Sequence, residues 1–362
     1  MRFIAFAALL CCLLPACSDN DEPETPGTGP ATGGSGGGPP NNPFDIPPPE
    51  HGFQFEAHGT TIQAGQDVEY CEVVQLPGDP SEVYYTNRFE ATLTPFSHHL
   101  NVYSVDPNHP VNAEVKVGDL HECLQPTLGY SGAGRSGEGF TYIAGSSHRY
   151  TDYTLPEGVG RKLYGGQKLI FNYHYLNTST EPVQAGSKLN IHTIDSASVV
   201  HRAQLFAFTN WTLAIPARKQ ASYTMECAVR QDIVVYGLSR HTHRWGKDFE
   251  VWYAGGARDG EHLFTSQDWE TNTGYAPDPP MLVKAGEGFR FRCDFDNTTD
   301  APINYGDKAT DEMCILYGGW YVANPSDTPA AQSCIAYPGV ATAGPDGAMI
   351  GAPMGWPAPD LG

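Results

Sequence analysis

Ile233-Val234-Val235-Tyr236-Gly237-Leu238-Ser239-Arg240-His241-Thr242-His243-Arg244-Trp245-Gly246 sets the reading of the whole chain. β-branched and aromatic residues dominate its first part, so Ile233 to Leu238 reads as a buried strand. Side chains two apart on a strand share a face, so His241 and His243 can present two imidazoles to one point. Such a pair is an incomplete metal site that still needs at least a third ligand.

The surrounding composition agrees with a strand. The 362 residues include 40 Gly and 30 Pro, and 11% are aromatic, with Val, Thr and Tyr in short runs. Extended helical periodicity is scarce. This predicts an all-β protein with many turns, long enough for two domains of ordinary size. The formal charge of −20 argues against a nucleic-acid partner, because no basic stripe is present to neutralise phosphates.

Residues 1–17 read as a targeting segment and stand outside the fold. Arg2 supplies the positive end, and Phe3 to Leu14 is an apolar run too short to span a bilayer. Leu14-Pro15-Ala16-Cys17 resembles a bacterial lipobox, which makes Cys17 the candidate lipidated residue and the only expected membrane attachment. Residues 18–50 read as a flexible Pro/Gly tether. The mature protein is therefore expected outside the cytoplasm. Six of the nine cysteines fall in the folded part: Cys71, Cys123, Cys227, Cys293, Cys314 and Cys334. An even count in an exported chain favours disulfides, and the count alone leaves every pairing open.

Short strand-like runs alternate with turns from Gly52 onward, among them Val68 to Val74, His99 to Val105 and Lys168 to Leu176. A break near Asp195-Ser196-Ala197-Ser198 separates a first domain, 51–196, from a second, 197–340. Residues 341–362 return to Pro, Gly and Ala and read as an irregular tail.

Thirteen histidines make chance clustering easy. His51, His58, His109, His121, His148, His192, His201 and His262 have no partner at short spacing and read as surface or hydrogen-bonded residues. His98-His99 differs. Neighbours on a strand point to opposite faces, so both can hold one metal only at a strand end or an irregularity. Thr94-Pro95-Phe96-Ser97 offers that irregularity. His174 lies on an alternating strand in the same domain. Asp311-Glu312-Met313-Cys314-Ile315-Leu316-Tyr317 places a Met between acids and a Cys. Such a Met fills a core more often than it binds metal; as a ligand, its soft thioether would favour Cu(I).

Taken in order, these features resemble the type II copper, ascorbate-dependent monooxygenases. The set is the HH pair, the Leu155-Pro156-Glu157-Gly158-Val159-Gly160 turn and the Phe171-Asn172-Tyr173-His174-Tyr175 strand. H-T-H followed by Gly246, and E-M-C-x-x-Y, complete it. The resemblance runs from about Cys71 to Cys334. It implies two jelly-roll-like antiparallel β-sandwich domains facing each other across a cleft. It implies one copper on His98, His99 and His174 and a second on His241, His243 and Met313. It also implies the pairs Cys71–Cys123, Cys227–Cys334 and Cys293–Cys314.

The function so implied is hydroxylation of a C–H bond of a small organic molecule. Dioxygen and a one-electron reductant such as ascorbate would be co-substrates. His241, His243 and Met313 would activate oxygen, and the three-His site would deliver an electron. The substrate does not carry over. Peptide-amidating members place an Arg two residues before H-x-H to hold a carboxylate, and this chain has Ser239 there. Arg240 and Tyr317 remain as candidate substrate contacts, although Arg240 should face away from His241. A copper-delivering lipoprotein without catalysis is the alternative. A zinc hydrolase is disfavoured, since no H-E-x-x-H occurs and a thioether is a poor zinc ligand.

Overall fold

Alternating burial along single strands builds the protein. Strand Gly288–Asn297 turns Phe289, Phe291, Cys293 and Phe295 inward, each at most 1% exposed. Its other face carries Arg290 and Arg292, which pair with Glu226 and Glu250 on the two flanking strands. Each buried phenylalanine contributes on the order of 1.5–3 kcal/mol, whereas the half-exposed ion pairs add little. A pattern of period two has one stable outcome, a sheet with one face covered.

The computed structural model describes residues 46–57, 60–123, 139–146, 148–267, 269, 274–306, 310–336, 342–343 and 349–353. The leader with Cys17 and the tether up to residue 45 lie outside the described residues. Two units are distinguished, Met1–Gly38 and Pro39–Gly362, and all that is described belongs to the second. It is all-β: strands joined by turns and short 3-10 segments, with no α-helix among the described residues.

In the first half, one sheet orders Gly52–Ala57, Ser187–Ile194, Val83–Leu93, Val159–Tyr164 and His201–Arg202, with Tyr150–Thr154 also on Val83–Leu93. The other orders Leu120–Glu122, Asp67–Gln75, Lys168–Leu176, Ser97–Val105 and Phe140–Ser146. Phe89, Leu189 and Ile191 of the first sheet and Val102, Leu169 and Phe171 of the second share one apolar layer. The second half repeats the plan. Its sheets centre on Ile233–His241 with Ile315–Val322, and on Gly246–Ala254 with Gly288–Asn297. A larger apolar layer, including Phe206, Phe249, Phe291 and Trp320, lies within it.

Three boundaries differ from the sequence reading. Ile46 is 2% exposed, and Asn190 Nδ2 donates to Pro47 O over 2.8 Å. The last residues assigned to the tether are therefore docked on the first sandwich. His201–Arg202 pairs in parallel with Val159–Tyr164, so the first half's sheet continues past residue 196. The C-terminal stretch is not wholly irregular either, because Met349–Ile350 pairs with Lys219–Ala228 and Ala352–Pro353 pairs with Cys334–Ala336. Gly- and Pro-rich composition marked turns there but hid two-residue strands captured by sheet edges.

The six cysteines form Cys71–Cys123, Cys227–Cys334 and Cys293–Cys314, the pairs that the resemblance implies. The halves meet through Leu155 and Val159 on one side and Tyr236 and Tyr321 on the other.

Candidate metal centres

His99 and His174 are direct cross-strand partners in the central pair of their sheet. The next pair is Ser97 with Tyr175, so His98 is the extra residue of a β-bulge. A bulge leaves one residue unpaired and re-aims its side chain. That lets adjacent histidines share a face, which a regular strand forbids. Phe96, immediately upstream, has φ of 68°, so the backbone is already irregular where the strand begins.

The result is a cluster in which one ring nitrogen from each of His98, His99 and His174 lies within 4.8 Å of the others. The Nδ1 atoms of His98 and His99 are 3.2 Å apart. Burial, with the neighbouring imidazoles, lowers the His98 pKa to about 4. Its ring is thus neutral at pH 7, the form a metal ligand requires.

A carboxylate on the adjoining strand orients one of these rings, and a second approaches another. Asp67 Oδ1 is hydrogen-bonded to His174 Nε2 at 2.5 Å; Glu69 Oε1 lies 3.2 Å from His99 Nε2 without hydrogen-bond geometry. A carboxylate on one ring nitrogen fixes the tautomer and leaves the other nitrogen as a lone pair. Neither acid was singled out from the sequence. The signal was present, since Asp67-Val68-Glu69 puts two acids on one face of a strand that pairs with His174. Cys123 donates its backbone N–H to Glu69 O over 3.0 Å, so the Cys71–Cys123 disulfide steadies this strand.

In the second half, His241 is the last residue of its strand and His243 lies beyond it. Their rings still converge, with centroids 5.1 Å apart at 90°, but strand alternation is not the cause. The turn from His243 to Gly246 closes through a 3.0 Å backbone hydrogen bond. A Cβ on Gly246 would sit 2.5 Å from Thr242 Oγ1, so this turn requires glycine.

Glu312 fixes the turn from the other side. Its carboxylate is fully buried and accepts from the backbone N–H groups of His243 at 2.8 Å, Trp245 at 2.7 Å and Met313 at 3.2 Å. Burial lifts its pKa to about 7 against the pull of those donors. His243 and Met313 thus hang from one carboxylate oxygen. His243 Nδ1 donates to Asp311 O over 3.0 Å, which leaves Nε2 as the free lone pair. Burial and the facing imidazoles hold His241 well below its ordinary pKa. Met313 is buried and precedes Cys314, which is tied to Cys293. Two imidazoles and the thioether of Met313 would make a donor set suited to copper in its reduced state.

Residues 204–337 match the family model of the copper type II ascorbate-dependent monooxygenase, C-terminal domain. The match encloses His241, His243, Met313 and Tyr317, and supports for the second half the family that the ordered pattern resembles. His98, His99 and His174 lie outside it. Among solved structures the chain is similar to the major capsid protein P2 from Bacteriophage PM2, with a TM-score of 0.29, 9% identity and coverage of 76% of this chain and 100% of that one. It is similar also to the STIV MCP, with a TM-score of 0.29, 6% identity and coverage of 75% and 96%. At that level of superposition neither likeness bears on function.

The candidate substrate residues separate. Tyr317 is 39% exposed, and its ring centroid lies 6.5 Å from that of His241. Arg240 is buried on the opposite face. It donates to Ser266 Oγ at 2.9 Å, Thr242 Oγ1 at 3.3 Å and Trp269 O at 3.1 Å. Its guanidinium is spent inside the second half, not on the His241 face. Trp269, which the sequence reading did not mark, stacks on His98 of the first half.

Proposed function

We propose that this protein is a copper-dependent monooxygenase that hydroxylates a C–H bond of a small organic substrate, using dioxygen and a one-electron reductant such as ascorbate. The family match over the second half, enclosing a His/His/Met donor set, carries the reading. Bound copper would supply one-electron redox chemistry and dioxygen activation.

The residues divide the remaining work. His98, His99 and His174 form an all-nitrogen set that suits both copper oxidation states, as electron storage requires. His241, His243 and Met313 form the softer set suited to oxygen activation. Asp67 holds the His174 imidazole in its binding tautomer, Glu69 places a negative charge beside His99, and Glu312 holds the second-half ligands in place. Tyr317 is the substrate contact nearest His241. Three disulfides suit an oxidising compartment, and we place the chain outside the cytoplasm, tethered through a lipid on Cys17.

Copper-loaded protein, given ascorbate and a library of small substrates, should consume oxygen and yield a hydroxylated product. Met313→Ile should abolish turnover while the three-His site still binds copper. A protein that merely delivers copper would bind the metal and take up no oxygen, and that outcome sinks the proposal.

A further inference from the structure

Cys227 and Cys334, 107 residues apart, join the two sheets of the second half. Cys227 lies in Lys219–Ala228, beside Gly288–Asn297 in one sheet. Cys334 opens Cys334–Ala336, beside Gln204–Asn210 in the other. Among the described residues, only short strands from the C-terminal stretch lie beyond these two. Met349–Ile350 pairs in parallel with Met225 and Glu226, and Ala352–Pro353 pairs antiparallel with Cys334 and Ile335. Five residues thus cross from one sheet to the other beside the bridge that joins the same two sheets. They also cover strand edges that would otherwise present unpaired N–H and C=O groups.

Gly351 is the crossing point. Its N–H donates to Glu226 O over 3.0 Å. A Cβ on it would come within 2.7 Å of Cys334 Sγ, 2.9 Å of Cys227 Sγ and 2.5 Å of Met225 Cε. The main chain therefore lies directly on the two sulfurs, and a side chain at this position would push it away. Met349 packs on the apolar layer of the second half and holds one flank down. Under this cover Cys227 is 1% and Cys334 3% exposed. Thiol–disulfide exchange begins with a thiolate reaching one sulfur, so access limits its rate. The Cys293–Cys314 bridge is buried by other means. It sits on Gly288–Asn297 and just before Ile315–Val322, strands with neighbours on both sides.

We propose that residues 349–353 are a clasp that guards the Cys227–Cys334 bridge against thiol exchange. Both cysteines precede the clasp in the chain, so they can be joined, and a wrong pairing exchanged, before it docks. Seating Gly351 then makes the pairing final. With the clasp open, an external dithiol reduces the bridge in two steps. One thiolate of the reagent bonds to a cysteine sulfur, the S–S bond breaks, and the other cysteine leaves as a thiolate that takes a proton from water. The second thiolate of the reagent then attacks the mixed disulfide and releases the first cysteine. The cysteine pair gains two electrons, and the reagent ends as a disulfide. The clasp blocks the first attack. It acts whether or not the protein is a monooxygenase.

The full chain, folded and without denaturant, is incubated with dithiothreitol; free thiols are alkylated at intervals and mapped by mass spectrometry. Cys293–Cys314 serves as the internal control, and in the parent Cys227–Cys334 should open no faster than it does. In Gly351→Val, Cys227–Cys334 should open at least about tenfold faster while the control keeps its parent rate. A chain ending at Val340 should behave in the same way. An unchanged Cys227–Cys334 rate in either variant overturns the proposal. Equal acceleration of both bridges also overturns it, since that marks a general loosening of the second half.

Discussion

The indole of Trp269 stacks on the imidazole of His98, with ring centroids 5.9 Å apart and planes 28° apart. Trp269 belongs to the second half and His98 to the first. The Trp269 carbonyl is held by Arg240, the neighbour of His241. One aromatic contact therefore links the ligand-bearing strands of both halves.

An indole this close to a ligand should report on its metal. Loading the three-His site with Cu(II) should quench tryptophan fluorescence, and Trp269→Phe should remove a distinct part of that quench. An unchanged quench would place Trp269 away from His98.

His98 owes its position to the bulge, not to core packing. His98→Ala should therefore leave the unfolding free energy within about 1 kcal/mol of the parent. Metal analysis should show it losing one copper of the proposed pair, with the second-half site intact. Retention of both would remove His98 from the ligand set.

Glu312→Gln should be far more costly than its size suggests. A carboxamide offers one oxygen where three backbone N–H groups converge, and its NH2 would face a donor. Leaving buried donors unsatisfied costs on the order of 1–3 kcal/mol. Denaturant unfolding should show that loss, and copper affinity should fall at the His241/His243/Met313 set alone. Equal weakening of both sites would assign Glu312 a general role.

The Cys293–Cys314 bridge spans 21 residues. Replacing both cysteines with serine should remove roughly 3 kcal/mol of stability, the chain-entropy value for a loop of this order. Because Met313 adjoins Cys314, copper binding to the second-half set should weaken as well. A stable variant with full metal content would argue against that coupling.

His192 gives a pH test away from either ligand set. Burial and the nearby Arg88 lower its pKa in the folded state from 6.5. Below about pH 6.5 the unfolded chain binds this proton more readily than the native one, so acid costs stability. His192→Gln should reduce the fall in stability below that pH. An unchanged acid limb in chemical denaturation would refute it.

The strands and the six cysteines were legible because they depend on local order, and the candidate ligands could be picked out for the same reason. Periodicity of two identified Lys168–Leu176 and Ile233–His241. The residues that hold the ligands were harder to see. Glu312 acts through backbone groups far away in sequence, and Trp269 through a ring in the other half. The convergence of His241 and His243 was foreseen for an incomplete reason. The strand ends at His241, and a glycine turn with a buried carboxylate places His243. Arg240 was correctly expected on the opposite face, and its engagement with Ser266 and Trp269 needed three dimensions to appear.

The bridge next to Met313 also sets a timetable. A thiol pair does not hold that loop, so a chain still in a reducing compartment lacks a finished thioether position. On the proposed function, oxidation would come first and metallation second. The second-half set would then take up copper only in an oxidising compartment, where it would not compete for a cytoplasmic supply.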